Sequence, residues 1–561
     1  MKNVVELSFT STKTYLDPYN EIELDVVFTG PQGQTRRVPA FWAGGQIWRV
    51  RYAPDSAGVH EYRLICTDSS NPELHGKTGA FAVDAPQASD GLCAHGPLCV
   101  AQNGRYLEFA DGTPFFWLGD TWWLGLCQRR GWGFEEFKTL VEDRVAKGFS
   151  VIQIVAGLCP DLPPFDPRGF NEGGYPWEAD FARINPAYFD WADRRIEYLV
   201  ESGLVPCIFG SWGYFLPFMG VARMKQHWRN LVARWSALPV VWCLAGEADM
   251  PYYLSQDPRA DRAAQRQGFA EVGRYLRAID PYHRPVTIHP MRAGRDAVSD
   301  DTVLDFDPLQ TGHGDLRSAP NTVETVCQEY RRQPAMPVID GEVCYEGHMQ
   351  MSGPLIQRFM FWTCMLYGAA GHTYGAGGIW QMNTREQPHG PSPHGGTYEN
   401  TPWDVAAQLP GARQLALGKA LLMRYPWWRL EPHPEWVEPH WGVDPFEGTE
   451  AHWADDLLGT QPDPDSVYFF ARFKLDKYLP PHAAAVPGGV RLIYIPARVY
   501  MWSGPLVKEL EEGVRYRAFY FDPINGDEYD LGTLVTGAGR TWQAPNVPLA
   551  QDWVLVLEPL L

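Results

Sequence analysis

The property that most narrows what this chain can fold into is an alternation of short apolar runs with stretches of helical period, sustained from Phe115 to Met423. The runs are Phe115-Phe116-Trp117-Leu118-Gly119-Asp120, Ser150-Val151-Ile152-Gln153-Ile154-Val155, Val205-Pro206-Cys207-Ile208-Phe209-Gly210, Val240-Val241-Trp242-Cys243-Leu244, Pro285-Val286-Thr287-Ile288-His289, Val303-Leu304-Asp305-Phe306-Asp307, Val338-Ile339-Asp340-Gly341-Glu342 and Ala370-Gly371-His372-Thr373-Tyr374. Runs that stay apolar at successive positions mark strands buried on both faces. Between them, Phe189, Ala192, Ile196, Leu199 and Val200 fall at helical spacing, as do Trp228, Leu231, Val232 and Trp235, and again Phe359, Thr363, Leu366 and Tyr367. Such a rhythm predicts a parallel (β/α)8 TIM barrel. A hairpin, Tyr106-Leu107-Glu108-Phe109 turning at Asp111-Gly112, is expected to lead into it, and a helix over 415–423 to close it.

On either side the period changes to that of half-buried strands. Ile22-Leu24-Val26-Phe28, Trp48-Val50-Tyr52 and Tyr62-Leu64-Cys66 alternate between turn sequences at one end of the chain. At the other end, Val467-Tyr468-Phe469-Phe470-Ala471, Val490-Arg491-Leu492-Ile493-Tyr494-Ile495, Arg515-Tyr516-Arg517-Ala518-Phe519-Tyr520 and Trp553-Val554-Leu555-Val556-Leu557 are spaced by Asp, Gly and Pro. The length of 561 residues suits about three domains at roughly 150 residues each. The expected fold class is therefore α/β: a TIM barrel over 98–428, flanked by all-β sandwiches over 1–85 and 429–561, with a linker over 84–97.

Charge and composition exclude several functions. The formal net charge is −19, from 48 basic and 67 acidic side chains, which argues against nucleic acid or an anionic membrane surface as partner. No stretch of 18 apolar residues occurs, and Met1-Lys2-Asn3-Val4-Val5-Glu6-Leu7 lacks a signal-peptide core, so a cytoplasmic location is expected. The ten cysteines include no C-x-x-C pair, and Cys207, Cys243 and Cys344 fall in or beside apolar strands as small hydrophobes. No metal motif is present; neither metal nor cofactor is expected. Tryptophan is abundant, at 23 residues, and flat apolar faces of this kind stack on sugar rings as well as fill cores. A small neutral carbohydrate is the expected partner. Nothing in the sequence speaks to oligomeric state.

Two stretches place a carboxylate just past a buried strand. Pro239-Val240-Val241-Trp242-Cys243-Leu244-Ala245-Gly246-Glu247 ends the fourth run and Met336-Pro337-Val338-Ile339-Asp340-Gly341-Glu342 the seventh. The C-terminal ends of barrel strands are where this fold keeps its chemistry, and the fourth and seventh strands face each other across the mouth. Each glutamate alone could cap a helix or pair at the rim. Together they suit glycosidic bond cleavage, which needs one carboxylic acid and one carboxylate on a shared ligand. Around Glu247 and Glu342 the strand ends and adjoining loops offer Asp120, Trp122, Trp123, Gln153, Trp212, His289, Gln310, His313, Tyr345, His372, Tyr374 and Trp380 as substrate-binding candidates. Asp249 could tune Glu247 or cap a helix. The glycine-rich segment 375–401 lacks periodicity and is expected to wall or cover the site.

Asp111-Gly112-Thr113-Pro114-Phe115-Phe116-Trp117-Leu118-Gly119-Asp120-Thr121-Trp122-Trp123 and Arg144-Val145-Ala146-Lys147-Gly148-Phe149-Ser150-Val151-Ile152-Gln153 resemble the first two strands of the apiosidase-like glycoside hydrolases. The stretch from Val38-Pro39-Ala40-Phe41-Trp42 to Gly79-Ala80-Phe81 resembles the immunoglobulin-like domain placed before such barrels. The resemblance implies Glu247 as general acid/base, Glu342 as nucleophile, and a retaining, exo-acting enzyme on short oligosaccharides or glycosides. An inactive carbohydrate-binding protein and an inverting hydrolase or transglycosylase are the alternatives. One departure stands out: the larger clan usually has Asn before the acid/base to bind the sugar 2-hydroxyl, and this chain has Gly246.

Overall fold

In the computed structural model, which describes residues 4–84, 91–440, 479–497 and 503–560, eight parallel strands form the central sheet. They are Trp117–Trp122, Val151–Val155, Val205–Phe209, Val241–Cys243, Val286–Thr287, Asp307–Gln310, Val338–Glu342 and Gly371–Tyr374. The first strand pairs with both the second and the eighth, and the ladder runs 5-4-3-2-1-8-7-6. Between the fifth and sixth strands a side chain completes the ring. Asp305 donates its N–H to Val286 O at 2.8 Å and accepts the Val286 N–H on its carboxylate at 2.8 Å.

That seam corrects the sixth strand. Residues 303–307 were expected to form it, but Asp301–Val303 is a 3-10 turn capped by Asp300, and the strand is Asp307–Gln310. The shift puts Gln310, not Asp307, at the mouth. The first strand also starts later than its apolar run, because Pro114–Phe115 is taken by an antiparallel pairing with Leu107–Phe109, itself paired with Leu98–Val100.

Helices wrap this sheet with their starts written locally. Pro186–Glu201 follows Asn185, whose side chain accepts the Ala187 N–H, and Pro258–Ile279 follows Asp257, which caps it in the same way. Proline in a first turn costs no hydrogen bond there and presets the backbone. Phe215–Trp235, Pro354–Leu366 and Pro410–Leu422 supply further apolar faces.

The flanks are antiparallel sheets. The N-terminal one packs a four-stranded sheet against a three-stranded one, with Phe28 stacked on Tyr52 at 4.1 Å. The C-terminal one is a six-stranded sheet with a three-stranded companion; the run expected at 467–471 lies outside the described residues. Buried ions hold each flank to the barrel. Asp193 accepts from Arg51 of the N-terminal sheet at 2.7 Å, from Arg234 at 2.7 Å and from the Trp235 indole at 2.7 Å. Burial opposes its charge, and the Arg234 and Arg51 guanidiniums overcome that and hold its carboxyl below the usual range. On the far side Arg358, in the helix before the eighth strand, donates twice to Asp552 at 2.7 and 2.6 Å.

Both members of that second pair are buried, so Asp552→Ala strands a guanidinium in the interior. A loss of about 3–5 kcal/mol is expected in chemical denaturation. The double replacement Arg358→Met with Asp552→Leu recovers most of it, because no charge is then left unpaired.

Candidate active site

Glu247 stands four residues beyond Cys243, the last paired residue of the fourth strand, on backbone that continues the strand irregularly. Trp212 and Gly246 form a parallel bridge, the Gly246 N–H donates to Ser211 O at 2.8 Å, and the Gly213 N–H donates to Gly246 O at 2.7 Å. The Glu247 backbone is left-handed, with φ of 39°, a conformation costing a non-glycine residue about 1–3 kcal/mol. The neighbouring peptides hold it there: the Ala248 N–H reaches His289 O and the Met250 N–H reaches Glu247 O, both at 2.9 Å.

The Trp212 ring lies directly on Gly246. A Cβ at that position would sit 2.2 Å from two ring carbons, so asparagine has no room, and the departure noted in the sequence has a steric cause. The same indole donates to Glu247 Oε2 at 3.1 Å, and Gln310 Nε2 donates to Oε1 at 2.9 Å. Burial, and then the charge of Glu342, push the Glu247 carboxyl up to about 8 against those two hydrogen bonds.

Glu342 reaches the same space through a break in the strand pattern. Leu309 pairs with Asp340 but Gln310 pairs with Glu342, so Gly341 is an extra residue on the seventh strand. Such a bulge re-aims the side chain that follows. His313 Nε2 then lies 2.8 Å from Oε1 and His289 Nε2 2.9 Å from Oε2. Burial works against the charge of Glu342, but the two histidines outweigh it and bring its carboxyl down to about 2.

The two glutamates open into one cavity of about 650 Å³, which Trp123, Trp212, Gln310, His313, Tyr345 and Trp380 also line. Trp123 donates its indole N–H to Tyr345 Oη at 3.0 Å. His289 stands behind Glu342 among the rings of Trp123, Phe209 and Trp212. Gln153 lies deeper, its Nε2 donating to Thr373 Oγ1 at 3.1 Å.

Asp120, Trp122, His372 and Tyr374 do not reach the cavity. Alternate residues of a strand point to opposite faces, and these four face the helices. Asp120 accepts from Arg144 Nε at 2.6 Å and from the Trp122 indole at 2.7 Å, fully buried. Trp122 meets Phe137 edge-on at 5.5 Å, and His372 meets Phe361 at 5.6 Å. The Tyr374 hydroxyl donates to Glu346 at 2.7 Å. Asp249 is paired with Arg262 at 2.8 Å, away from the cavity lining.

Several lining residues had no sequence signal beyond their place in irregular loops: Asp161, Met250, Tyr253, Met291, His348, Met349 and Met351. His394 and Tyr398 join Trp380 from the glycine-rich segment after the eighth strand. Asp161 has a left-handed backbone, φ 54°, and accepts the Ser392 hydroxyl at 2.5 Å. Its burial raises its carboxyl above the usual range despite hydrogen bonds from Ser392 and Tyr253.

Among the described residues one group has ligand atoms close enough to share a metal ion, Asp340, Cys364 and His372, all within 4.8 Å of one another. It sits outside the cavity. Cys364 Sγ and Thr311 Oγ1 each donate to Asp340 Oδ2 at 3.2 Å. Burial raises the Asp340 carboxyl to about 7 and lowers the His372 imidazole to about 3, which favours the neutral form of each.

A family model described as the apiosidase-like catalytic domain matches residues 101–429. A second, described as a domain of unknown function (DUF5060), matches residues 3–67. Among curated proteins, none matches. One solved glycoside hydrolase superposes with a TM-score of 0.62 at 21% identity, covering 83% of this chain and 97% of its own. A glycoside hydrolase family 5 protein from Bacteroides vulgatus gives 0.62 at 19% identity, over 83% of this chain and 94% of its own. Another Bacteroides vulgatus protein gives 0.66 at 17% identity, over 100% and 99%. At these identities the likeness is one of fold.

Gly246→Ala tests the packing under Glu247. The new methyl displaces the Trp212 ring and with it one hydrogen bond to the carboxyl. Since displacement by about 1 Å can cost roughly 10²-fold in rate, a drop of about that size in kcat/KM on aryl glycosides is expected, with a changed near-ultraviolet tryptophan signal and a retained far-ultraviolet spectrum.

Proposed function

Because this chain belongs to the apiosidase-like catalytic-domain family and is a glycoside hydrolase, we propose that it cleaves short oligosaccharides or glycosides with retention of configuration, acting from the chain end. The observation that carries the reading is the opposite displacement of two glutamates in one cavity, Glu247 up to about 8 and Glu342 down to about 2. At neutral pH one is then an acid holding its proton and the other a carboxylate.

Glu342 attacks the anomeric carbon while Glu247 gives its proton to the departing oxygen, leaving a glycosyl ester on Glu342. Esterification removes the negative charge of Glu342, one of the causes that raise Glu247. Its acidity returns toward the ordinary range, and Glu247, now ionised, takes a proton from water as that water attacks the ester. The low value of Glu342 favours retention over inversion. A carboxylate held near 2 is a poor general base toward water but a good leaving group from the ester.

End-on action is supported by the loops. The segment after the eighth strand contributes Trp380, His394 and Tyr398, and the segment after the seventh contributes His348 and Met349, to the wall of the cavity. The charge of −19 suits a neutral sugar. No described helix is long and apolar enough to cross a membrane, and the cysteines described are free, which fits a reducing, cytoplasmic setting. The sandwiches serve chiefly to brace the barrel, through Asp193 on one side and Asp552 on the other.

The pH profile of kcat/KM should rise as Glu342 ionises, through about 2, and fall as Glu247 loses its proton, through about 8. His313→Ala removes one of the contacts that lower Glu342, so the acid limb should move upward while the alkaline limb stays.

Replacing each glutamate separates their roles. Glu247→Ala should lose about 10²- to 10⁴-fold on substrates with poor leaving groups and far less on activated aryl glycosides. Azide should rescue it to a product of retained configuration, whereas Glu342→Ala with azide should give inversion. The reverse pattern would exchange the roles, and inverted product from the unmodified enzyme would replace retention with a single displacement.

A further inference from the structure

We propose that the outer part of this cavity is a subsite for a flat apolar aglycone, so that the substrate class is a glycoside of an aromatic or fused-ring alcohol; this rests on the glycosidase reading above. The inner part is polar and aromatic, with Trp123, Trp212, Gln310 and His313 around the two glutamates. Toward solvent the character changes. Met349 and Met351 stand on its solvent side, and Leu316, Met250 and Met291 also line it, beside the polar Asp315, Arg317 and His394.

Two observations mark these apolar side chains as more than incidental. Met349 is 53% exposed and Met351 41% exposed, two large apolar side chains left in water on one short loop and turned to one cavity. Neighbouring apolar exposure of this kind favours a binding partner. The loop also adopts costly backbone to hold them: Met349, Gln350 and Ser352 have φ of 51°, 62° and 59°, the left-handed region that non-glycine residues avoid. A buried carboxylate clamps it. Glu399 accepts the Met349 N–H at 2.9 Å and pairs with His348 Nδ1 at 3.2 Å, which ties this loop to the segment after the eighth strand.

The chemistry of these side chains selects their occupant. On the face against the thioethers and Leu316 a second sugar ring would leave its hydroxyls without partners, and buried unpaired hydroxyls are unfavourable. Methionine instead adapts its shape to planar rings and makes favourable sulfur–aromatic contacts. Of the polar groups lining the cavity, Asp161 is already engaged, accepting from Ser392 at 2.5 Å and from Tyr398 at 3.4 Å.

The test uses the full chain and 2-naphthol, a free aromatic alcohol, so that binding is read without turnover. Titration calorimetry is expected to show saturable binding to the unmodified protein, weakened about tenfold or more in Met349→Gln/Met351→Gln at an unchanged melting temperature. Leu316→Gln serves as an independent second variant and should weaken binding in the same direction. In a kinetic arm, the kcat/KM ratio of 2-naphthyl to methyl glycoside of any sugar that is cleaved should fall about tenfold in the double variant. No saturable binding of 2-naphthol, or equal binding by the unmodified protein and both variants, overturns the proposal even if glycosides are cleaved. Lost binding in the variants without cleavage of any glycoside supports the apolar subsite and counts instead against the glycosidase reading.

Discussion

Two glutamates buried side by side in one cavity cannot both carry charge at low cost, and the site is built around resolving that conflict. The protein gives one two neutral donors and sets the other between two imidazoles. Glu247 receives only the neutral donors Gln310 and Trp212, whereas Glu342 is flanked by His313 and His289 at 2.8 and 2.9 Å. Burial alone would raise both, and the asymmetry of partners drives them apart, to about 8 and about 2. Division of labour between two identical side chains is therefore a property of their surroundings.

The surroundings depend in turn on small backbone departures. The extra Gly341 turns Glu342 toward the cavity, and the left-handed Glu247, held between the peptides of Gly246 and Ala248, brings its carboxyl against the Trp212 indole. The parallel barrel supplies a rigid frame in which such local irregularity is tolerated, because neighbouring strands and buried rings hold it on all sides. Left-handed non-glycine residues stand at the mouth in Glu247, Asp161, Asp315 and the Met349 loop, and others, His283, Glu509 and Arg540 among them, lie elsewhere.

The flanking sandwiches are attached through buried ion pairs as well as apolar packing. Asp193 and Asp552 each gather an arginine across a domain boundary. Buried pairs of this kind contribute little net stability over an apolar substitute, but a broken one is costly, so they fix where the sandwiches sit more than how strongly they hold.

The sequence by itself determined the barrel and the two strand ends that carry Glu247 and Glu342, because buried parallel strands are written as continuous apolar runs and helices as a 3.6-residue period, both local signals. It also marked the segment after the eighth strand, where Trp380, His394 and Tyr398 stand. It left undecided which face each strand-end residue takes. Asp120, Trp122, His372 and Tyr374 look from the sequence like Trp123 or Gln310, yet parity turns them to the helices, where Asp120 holds Arg144. A one-residue bulge and a four-residue shift of the sixth strand lie below the resolution of any local pattern. Only the tertiary structure brought Asp161, Met250 and Met349 to the cavity, and only it set the two glutamates apart in acidity. Both outcomes come from contacts between segments distant in the chain, and burial, charge and hydrogen bonding at those contacts have no local imprint.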